Sequence, residues 1–136
     1  MKLEKIVNRL QKLHPKEIDL NLNRIIDLCK KLDNPQDQIK AVSIVGTNGK
    51  YSTIQAMYAI LKDAGFNCNI YTSPHIKKIN ERFVFNNKEL DDLELSELLE
   101  ETEIANDNKP ITFFEILTAA YFYKASKYPN NINLIE

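Results

Sequence analysis

Apolar residues recur at two periods along the chain, and the switches between them outline its elements. Leu3, Ile6, Val7, Leu10 and Leu13 fall at helical spacing, which predicts an amphipathic helix over residues 2–14, ended by His14-Pro15. After a short loop over 16–21, Leu22, Ile25, Ile26, Cys29 and Leu32 mark a second helix, stopped by Asn34-Pro35. The apolar run 39–45, interrupted only by Lys40 and Ser43, reads as a strand, and a helix over 52–64 follows with Gly65 suited to its C′ position. Phe66, Cys68 and Ile70 alternate with polar residues, which predicts a second strand. Strand, helix and strand of these lengths imply a right-handed parallel crossover.

The pattern continues in the same way. Residues 72–80 carry Pro74 and no period, so they form a loop at the C-terminal edge of the second strand, where open α/β sheets gather ligands. Residues 82–85 and a turn at Asn86-Asn87 predict a short hairpin arm. Asp91 can cap a helix over 92–106, with Glu94 completing a capping box. Thr112 opens another helix to about Ser126, its apolar face including Phe113, Ile116, Leu117, Ala120 and Tyr121. Pro129-Asn130-Asn131 turns the chain into a third strand, Ile132 to Ile135. The order α-α-β-α-β-hairpin-α-α-β predicts an α/β fold, a P-loop-containing parallel sheet with flanking helices. A sheet that stops on its third strand is half built, so further βα units are expected after Glu136.

The strongest chemical signal lies between the first strand and its helix: Gly46-Thr47-Asn48-Gly49-Lys50-Tyr51-Ser52. Two glycines allow a tight turn whose N–H groups approach an anion, the following helix aims its positive end at the same spot, and Lys50 adds a full charge. The match to G-x-x-x-x-G-K-[ST] is imperfect. Ile44 stands where the first glycine would be, and Tyr51 leaves no hydroxyl directly after the lysine. An ordinary strand–turn–helix with a surface lysine is the bland alternative, and a lysine at a helix start is disfavoured unless an anion answers it.

Composition narrows the partners. The 136 residues hold 18 basic and 19 acidic side chains, a net charge of −1, which offers no electrostatic case for nucleic acid or an anionic membrane. Residues 1–20 are charged throughout and do not read as a signal peptide, and no apolar run approaches membrane-spanning length. Cys29 and Cys68 form no C-x-x-C pair and read as buried thiols, so a cytoplasmic protein is expected.

Four blocks together resemble one family, the bifunctional dihydrofolate synthase/folylpolyglutamate synthases of the Mur ligase superfamily, in their N-terminal part. They are Leu13-His14-Pro15-Lys16-Glu17-Ile18-Asp19-Leu20 with Arg24; Gly46 to Ser52, whose family form is G-T-N-G-K-x-[ST]; Tyr71-Thr72-Ser73-Pro74-His75 with Asn80-Glu81-Arg82; and Thr112-Phe113-Phe114-Glu115 with Leu134-Ile135-Glu136. Order and spacing agree across the whole chain. The family varies after the lysine, which accommodates Tyr51; Val45 replaces a usually small residue. The resemblance implies an ATP-dependent ligase that joins L-glutamate to dihydropteroate or folate through an acyl phosphate. It implies Mg²⁺ as cofactor, a monomeric full-length enzyme, and residues 1–136 as the front of an incomplete ATP-binding domain, inactive alone. The remainder would supply a second metal-site histidine, a lysine near the metals, and a C-terminal domain that helps hold ATP and the amino acid.

By the same resemblance, Gly46, Thr47, Asn48, Gly49, Lys50 and Ser52 would hold ATP phosphates, with Lys50 screening the β- and γ-phosphates during the reaction. Ser52 stays open between a phosphate or metal contact and a helix cap. Ser73 and Glu136 match metal ligands, a hard oxygen at a strand's C-terminal edge suiting Mg²⁺. Asp19, Leu20 and Asn21, with Thr112, Phe113, Phe114 and Glu115, match residues lining the dihydropteroate site, and the Ile18-Asp19-Leu20 block favours acceptance of dihydropteroate. Rivals stand beside these: Thr-x-x-Glu is also a capping box, Phe113 or Phe114 can be core, and His75 reads as part of its loop's structure. Two other functions compete. Ligases acting on peptidoglycan precursors typically carry Thr or Ser after the lysine and lack the Ser-Pro-His block. A nucleotide-binding module without chemistry would bind ATP and release no phosphate.

Overall fold

A computed structural model describes residues 2–15 and 19–136; Lys16, Glu17 and Ile18, within the first family block, lie outside the described residues. Contacts divide the chain into two compact units, one built from 1–37 and 91–124, the other from 38–90 and 125–136.

The first unit is helical: α1 (Lys2–Leu10), α2 (Asn23–Lys31), α4 (Asp92–Asn106) and α5 (Phe113–Ala125, belonging here up to Lys124), with a 3-10 turn Pro35–Gln38 after α2. Leu3, Ile6 and Leu10 of α1 are buried, as their spacing predicts, but the helix stops at Leu10, before His14-Pro15. The α4 capping box forms as expected: the Glu94 N–H donates to Asp91 Oδ1 at 2.8 Å and the Asp91 N–H to Glu94 Oε1 at 3.1 Å. Along α5, Ile116, Leu117, Ala119, Ala120 and Tyr121 are fully buried, whereas Phe113 is half-buried and Phe114 is 46% exposed.

The second unit is a five-stranded sheet in the order β1-β5-β2-β3-β4, from β1 (Lys40–Ser43), β2 (Cys68–Tyr71), β3 (Phe83–Phe85), β4 (Lys88–Glu89) and β5 (Ile132–Ile135). The expected parallel sheet is its β1-β5-β2 half; the hairpin arm adds β3 and β4 antiparallel. Helix α3 (Lys50–Asp63) packs through Ile54, Met57, Tyr58 and Leu61 onto Ile70, Leu134 and Ile132. It ends as Gly65 suggested. With Gly65 at φ +90, its N–H donates to Lys62 O and the Phe66 N–H to Leu61 O, which satisfies the last carbonyls.

All four residues of β2 are buried. Asn69 is tolerated inside because both ends of its amide find partners. Its Nδ2 donates to Asn133 Oδ1 at 3.0 Å, and its Oδ1 accepts from the Asn86 N–H and from Asn131 Nδ2. Asn133 Nδ2 carries the chain on to the Lys40 carbonyl of β1. A buried amide is cheap only when its donors and acceptors are answered, and here they bridge three strands and the hairpin turn.

Candidate functional site

The phosphate-cradle residues lie where the three parallel strands end together. Strand β1 runs into the glycine turn, β5 runs into Glu136, and β2 runs into the Ser73 loop. The Ile44 N–H donates to Ile135 O at 2.7 Å and the Glu136 N–H to Tyr71 O at 3.0 Å, so the three ends share one edge of the sheet. Sequence order hides this, because β5 is last in the chain yet lies between β1 and β2.

Gly46 (φ +150) and Gly49 (φ +75) take backbone conformations closed to most L-residues. Gly49 serves as the N-cap, which lets Lys50 enter α3 as its first residue, two positions earlier than periodicity predicts. Thr47 and Asn48 are exposed in the turn. Among the described residues, no protein acceptor takes the amides of residues 46–52, so the turn's donors and the positive end of α3 face the same exposed edge. Ser52 is exposed and makes no cap bond; the cap of α3 has no side-chain hydrogen bond. Lys50 is answered by an anion, as its helix position requires: its Nζ lies 3.6 Å from Glu136 Oε1. The Glu136 side chain is 13% exposed and that of Lys50 36%.

Ser73 follows β2 by two residues and is half-buried; the Ser73–Pro74 peptide is cis. His75 belongs to the loop's structure, its Nδ1 accepting from Arg82 Nε at 2.8 Å. Burial, then the Arg82 charge, push the imidazole below its ordinary value despite Glu81. No group of three or more His, Cys, Asp or Glu side chains among the described residues could hold a metal. One carboxylate and one hydroxyl at a strand edge are too few for a resident cage. They do fit a hard cation that arrives with phosphate oxygens and water as its other ligands.

The remaining candidates sit in the helical unit, where Arg24 collects them. Its Nε donates to Glu115 Oε1 at 2.9 Å, Nη1 to Asp19 Oδ2 at 3.3 Å, and Nη2 to the carbonyls of Asp19 and Asn21. His14 Nε2 lies 3.4 Å from the same Asp19 oxygen. The Thr112-Glu115 capping box is real: the Thr112 N–H and hydroxyl donate to Glu115 Oε1 at 3.0 and 2.9 Å, and the Glu115 N–H returns to Thr112 Oγ1. Thr112 is 2% and Glu115 8% exposed, so these two are held inside. Leu20 is 93% and Phe114 46% exposed, and Asn21 is exposed with its Oδ1 capping the Asn23 N–H. In the sequence Arg24 stands out only as part of the first family block. Its fixed fork of donors, in the first turn of α2, is the one sequence signal for its organising part.

Burial alone pushes the Glu115 carboxyl up, but the bonds from Arg24 and Thr112 outweigh it and hold it below its ordinary value of 4.5. A depressed carboxyl contributes stability in full above pH 4.5, and the contribution is lost as pH falls through the lowered value. The thermal midpoint, followed by circular dichroism, is therefore expected to drop below pH 4.5 more steeply in the wild type than in Glu115→Ala.

A glycine turn feeding a helix, with a lysine and a carboxylate at the C-terminal edge of parallel strands, is a strand–turn–helix arrangement of the P-loop kind, a geometry suited to phosphate. No protein-family model matches the chain. Over 120 residues it is 33% identical to the dihydrofolate synthase/folylpolyglutamate synthase of Haemophilus influenzae, covering 87% of this chain and 27% of that one. It is 31% identical over 120 residues to the Escherichia coli enzyme of the same name, covering 87% and 28%. Among solved structures, E. coli FolC in complex with DHPP and ADP superposes at a TM-score of 0.90 with 27% identity, over 98% of this chain and 32% of that one. An FPGS–AMPPCP–folate complex gives 0.90 at 26%, over 100% and 35%. The Yersinia pestis enzyme complexed with AMPPNP and Mn ion gives 0.88 at 28%, over 98% and 33%. By sequence and by fold the chain is a relative of the dihydrofolate synthase/folylpolyglutamate synthases, and it spans about a third of the length of those solved relatives.

Proposed function

We propose that the chain carries the phosphate side and part of the pteroate side of an ATP-dependent ligase that joins L-glutamate to dihydropteroate or folate polyglutamate. The observation that carries this reading is the Lys50–Glu136 pair, set at the shared strand edge beside turn amides that no group among the described residues takes. In the reaction the substrate carboxylate attacks the γ-phosphorus and ADP leaves. The glutamate amine then attacks the acyl phosphate carbonyl, loses a proton, and inorganic phosphate leaves. Both steps build charge on oxygen, and fixed donors are how a protein meets it. Here the amides of 46–50 would hold the phosphates and Lys50 would turn from Glu136 to the β- and γ-oxygens. Glu136 and Ser73 would hold Mg²⁺, which when bound neutralises phosphate charge. Leu20, Asn21 and Phe114 would face the pteroate, an exposed ring being suited to stacking on a pterin.

On this reading residues 1–136 are part of a Mur-ligase-type ATP-binding domain, and the full-length enzyme is a cytoplasmic monomer. Proximity of the reacting groups supplies most of the rate in such reactions, and this chain has about a third of its solved relatives' length. The 136-residue chain alone is therefore expected to bind Mg·ATP but release phosphate at the background rate when given dihydropteroate, L-glutamate and Mg·ATP in a coupled assay. Clear turnover would overturn the division of labour proposed here. No binding of any adenine nucleotide would overturn the phosphate site itself.

A further inference from the structure

We propose that Glu81 is a positioning residue for the metal side of the phosphate site, acting through the loop 72–82 without touching nucleotide or metal. The inference rests on the reading of Ser73 as a metal-side oxygen. The Asn80-Glu81-Arg82 block has no part in the chemistry above, yet each of its side chains fastens the loop at a different point. Asn80 Nδ2 donates to the Leu90 carbonyl at 3.0 Å and anchors the 3-10 turn Ile79–Arg82 to the end of the hairpin. Arg82 closes the loop on both sides of Ser73. Its carbonyl accepts from the Thr72 N–H at 3.4 Å, and its Nε donates to His75 Nδ1.

Glu81 fixes the rest. Its Oε1 accepts from the Ile76 N–H at 2.8 Å, and its Oε2 from the N–H groups of Lys77 and Lys78 at 3.0 Å each. Three successive amides converging on one carboxylate form an anion nest, here filled by the protein's own side chain with charge-assisted bonds. Nothing apolar does this work instead, since Ile76 is 90% exposed and Lys77 and Lys78 are exposed as well. Hydrogen bonding to Glu81 therefore sets the path of residues 76–78, and through His75 and Arg82 the place of Ser73 beside the end of β5. Groups that hydrogen-bond a metal ligand directly typically change metal affinity by about 10–100-fold when removed, and Glu81, acting one step further out, is expected at the lower end of that range.

The test is calorimetric titration of the 136-residue chain with AMPPNP, once with EDTA and once with Mn²⁺. Wild type is expected to bind in both, more tightly with the metal. Glu81→Ala is expected to keep its metal-free affinity within about twofold and to lose about 10-fold or more of the metal-dependent gain. Glu81→Gln, which retains an acceptor oxygen for one or two amides, is expected to lie between. Retention of the full metal gain by Glu81→Ala overturns the proposal. So does equal loss with and without metal, which would mark a general structural role, as would a wild type whose binding the metal does not tighten. A wild type that binds no nucleotide under either condition overturns instead the phosphate-site reading on which the proposal rests. Far-ultraviolet dichroism of both variants, unchanged from wild type, confirms that the comparison is between folded chains.

Discussion

Lys50→Ala is expected to weaken Mg·ATP binding by roughly 10–100-fold, the factor that corresponds to losing one charge-assisted hydrogen bond of about 1.5–3 kcal/mol. The ammonium sits on the first residue of α3, a position at which the helix dipole opposes it, and is balanced by Glu136 at 3.6 Å. An incoming phosphate would offer the same ammonium more negative charge, and its approach would be helped by amides that no group among the described residues occupies. The variant loses the cation and with it part of the positive charge that offsets the Glu136 carboxylate at this edge, so both effects act in one direction. Lys62→Ala is the matched control. That lysine lies in the last turn of the same helix, its Nζ 5.7 Å from the centre of the Tyr58 ring, and its loss should leave nucleotide affinity unchanged. Calorimetric titration with AMPPNP and Mn²⁺ reads both. An affinity unchanged in Lys50→Ala would remove the phosphate role from this residue.

Where the signal was local, the sequence was readable. Helical spacing of Leu3, Ile6 and Leu10, the Asp91-Glu94 box, Gly65 beyond α3 and the Asn86-Asn87 turn each depend on residues within one turn of one another, and each forms as expected. What the sequence concealed depends on distant partners. Nothing in residues 66–71 says that β5 will pair with one side of β2 and β3 with the other, which is what puts Asn69 in the interior. The amides of Asn131 and Asn133, more than sixty positions away, join the Asn86 N–H in answering that side chain inside. The same insertion of β5 brings Glu136 to Lys50. The early start of α3 has a local cause that periodicity does not register: Gly49 at φ +75 lets the helix begin two residues sooner. On the pteroate side, the capping box and the ligand site competed for Thr112 and Glu115. The structure gives those two the box and leaves the exposed surface to Phe114 and Leu20.

That division leads to the second large effect, in stability. Glu115→Ala is expected to cost about 2–4 kcal/mol, from the lost cap and a buried donor left without its acceptor. Glu115 Oε1 alone accepts three bonds, from Arg24 Nε and from the N–H and hydroxyl of Thr112, and the Thr112 residue is 2% exposed, so water cannot readily replace the carboxylate there. Arg24 would keep only its weaker contacts to the 19–21 segment, at 3.1–3.3 Å. Glu115→Gln should cost less. It retains one acceptor for the cap but turns an amide NH₂ toward a guanidinium that can only donate. Asp19→Ala should cost least, because that side chain is 29% exposed and meets Arg24 through one long bond. Urea or thermal melts by circular dichroism give the order directly. A Glu115→Ala change smaller than that of Asp19→Ala would mean that Arg24 is held by the loop and not by α5. The exposed pair of Leu20 and Phe114 would then owe its placement to something other than this ion pair.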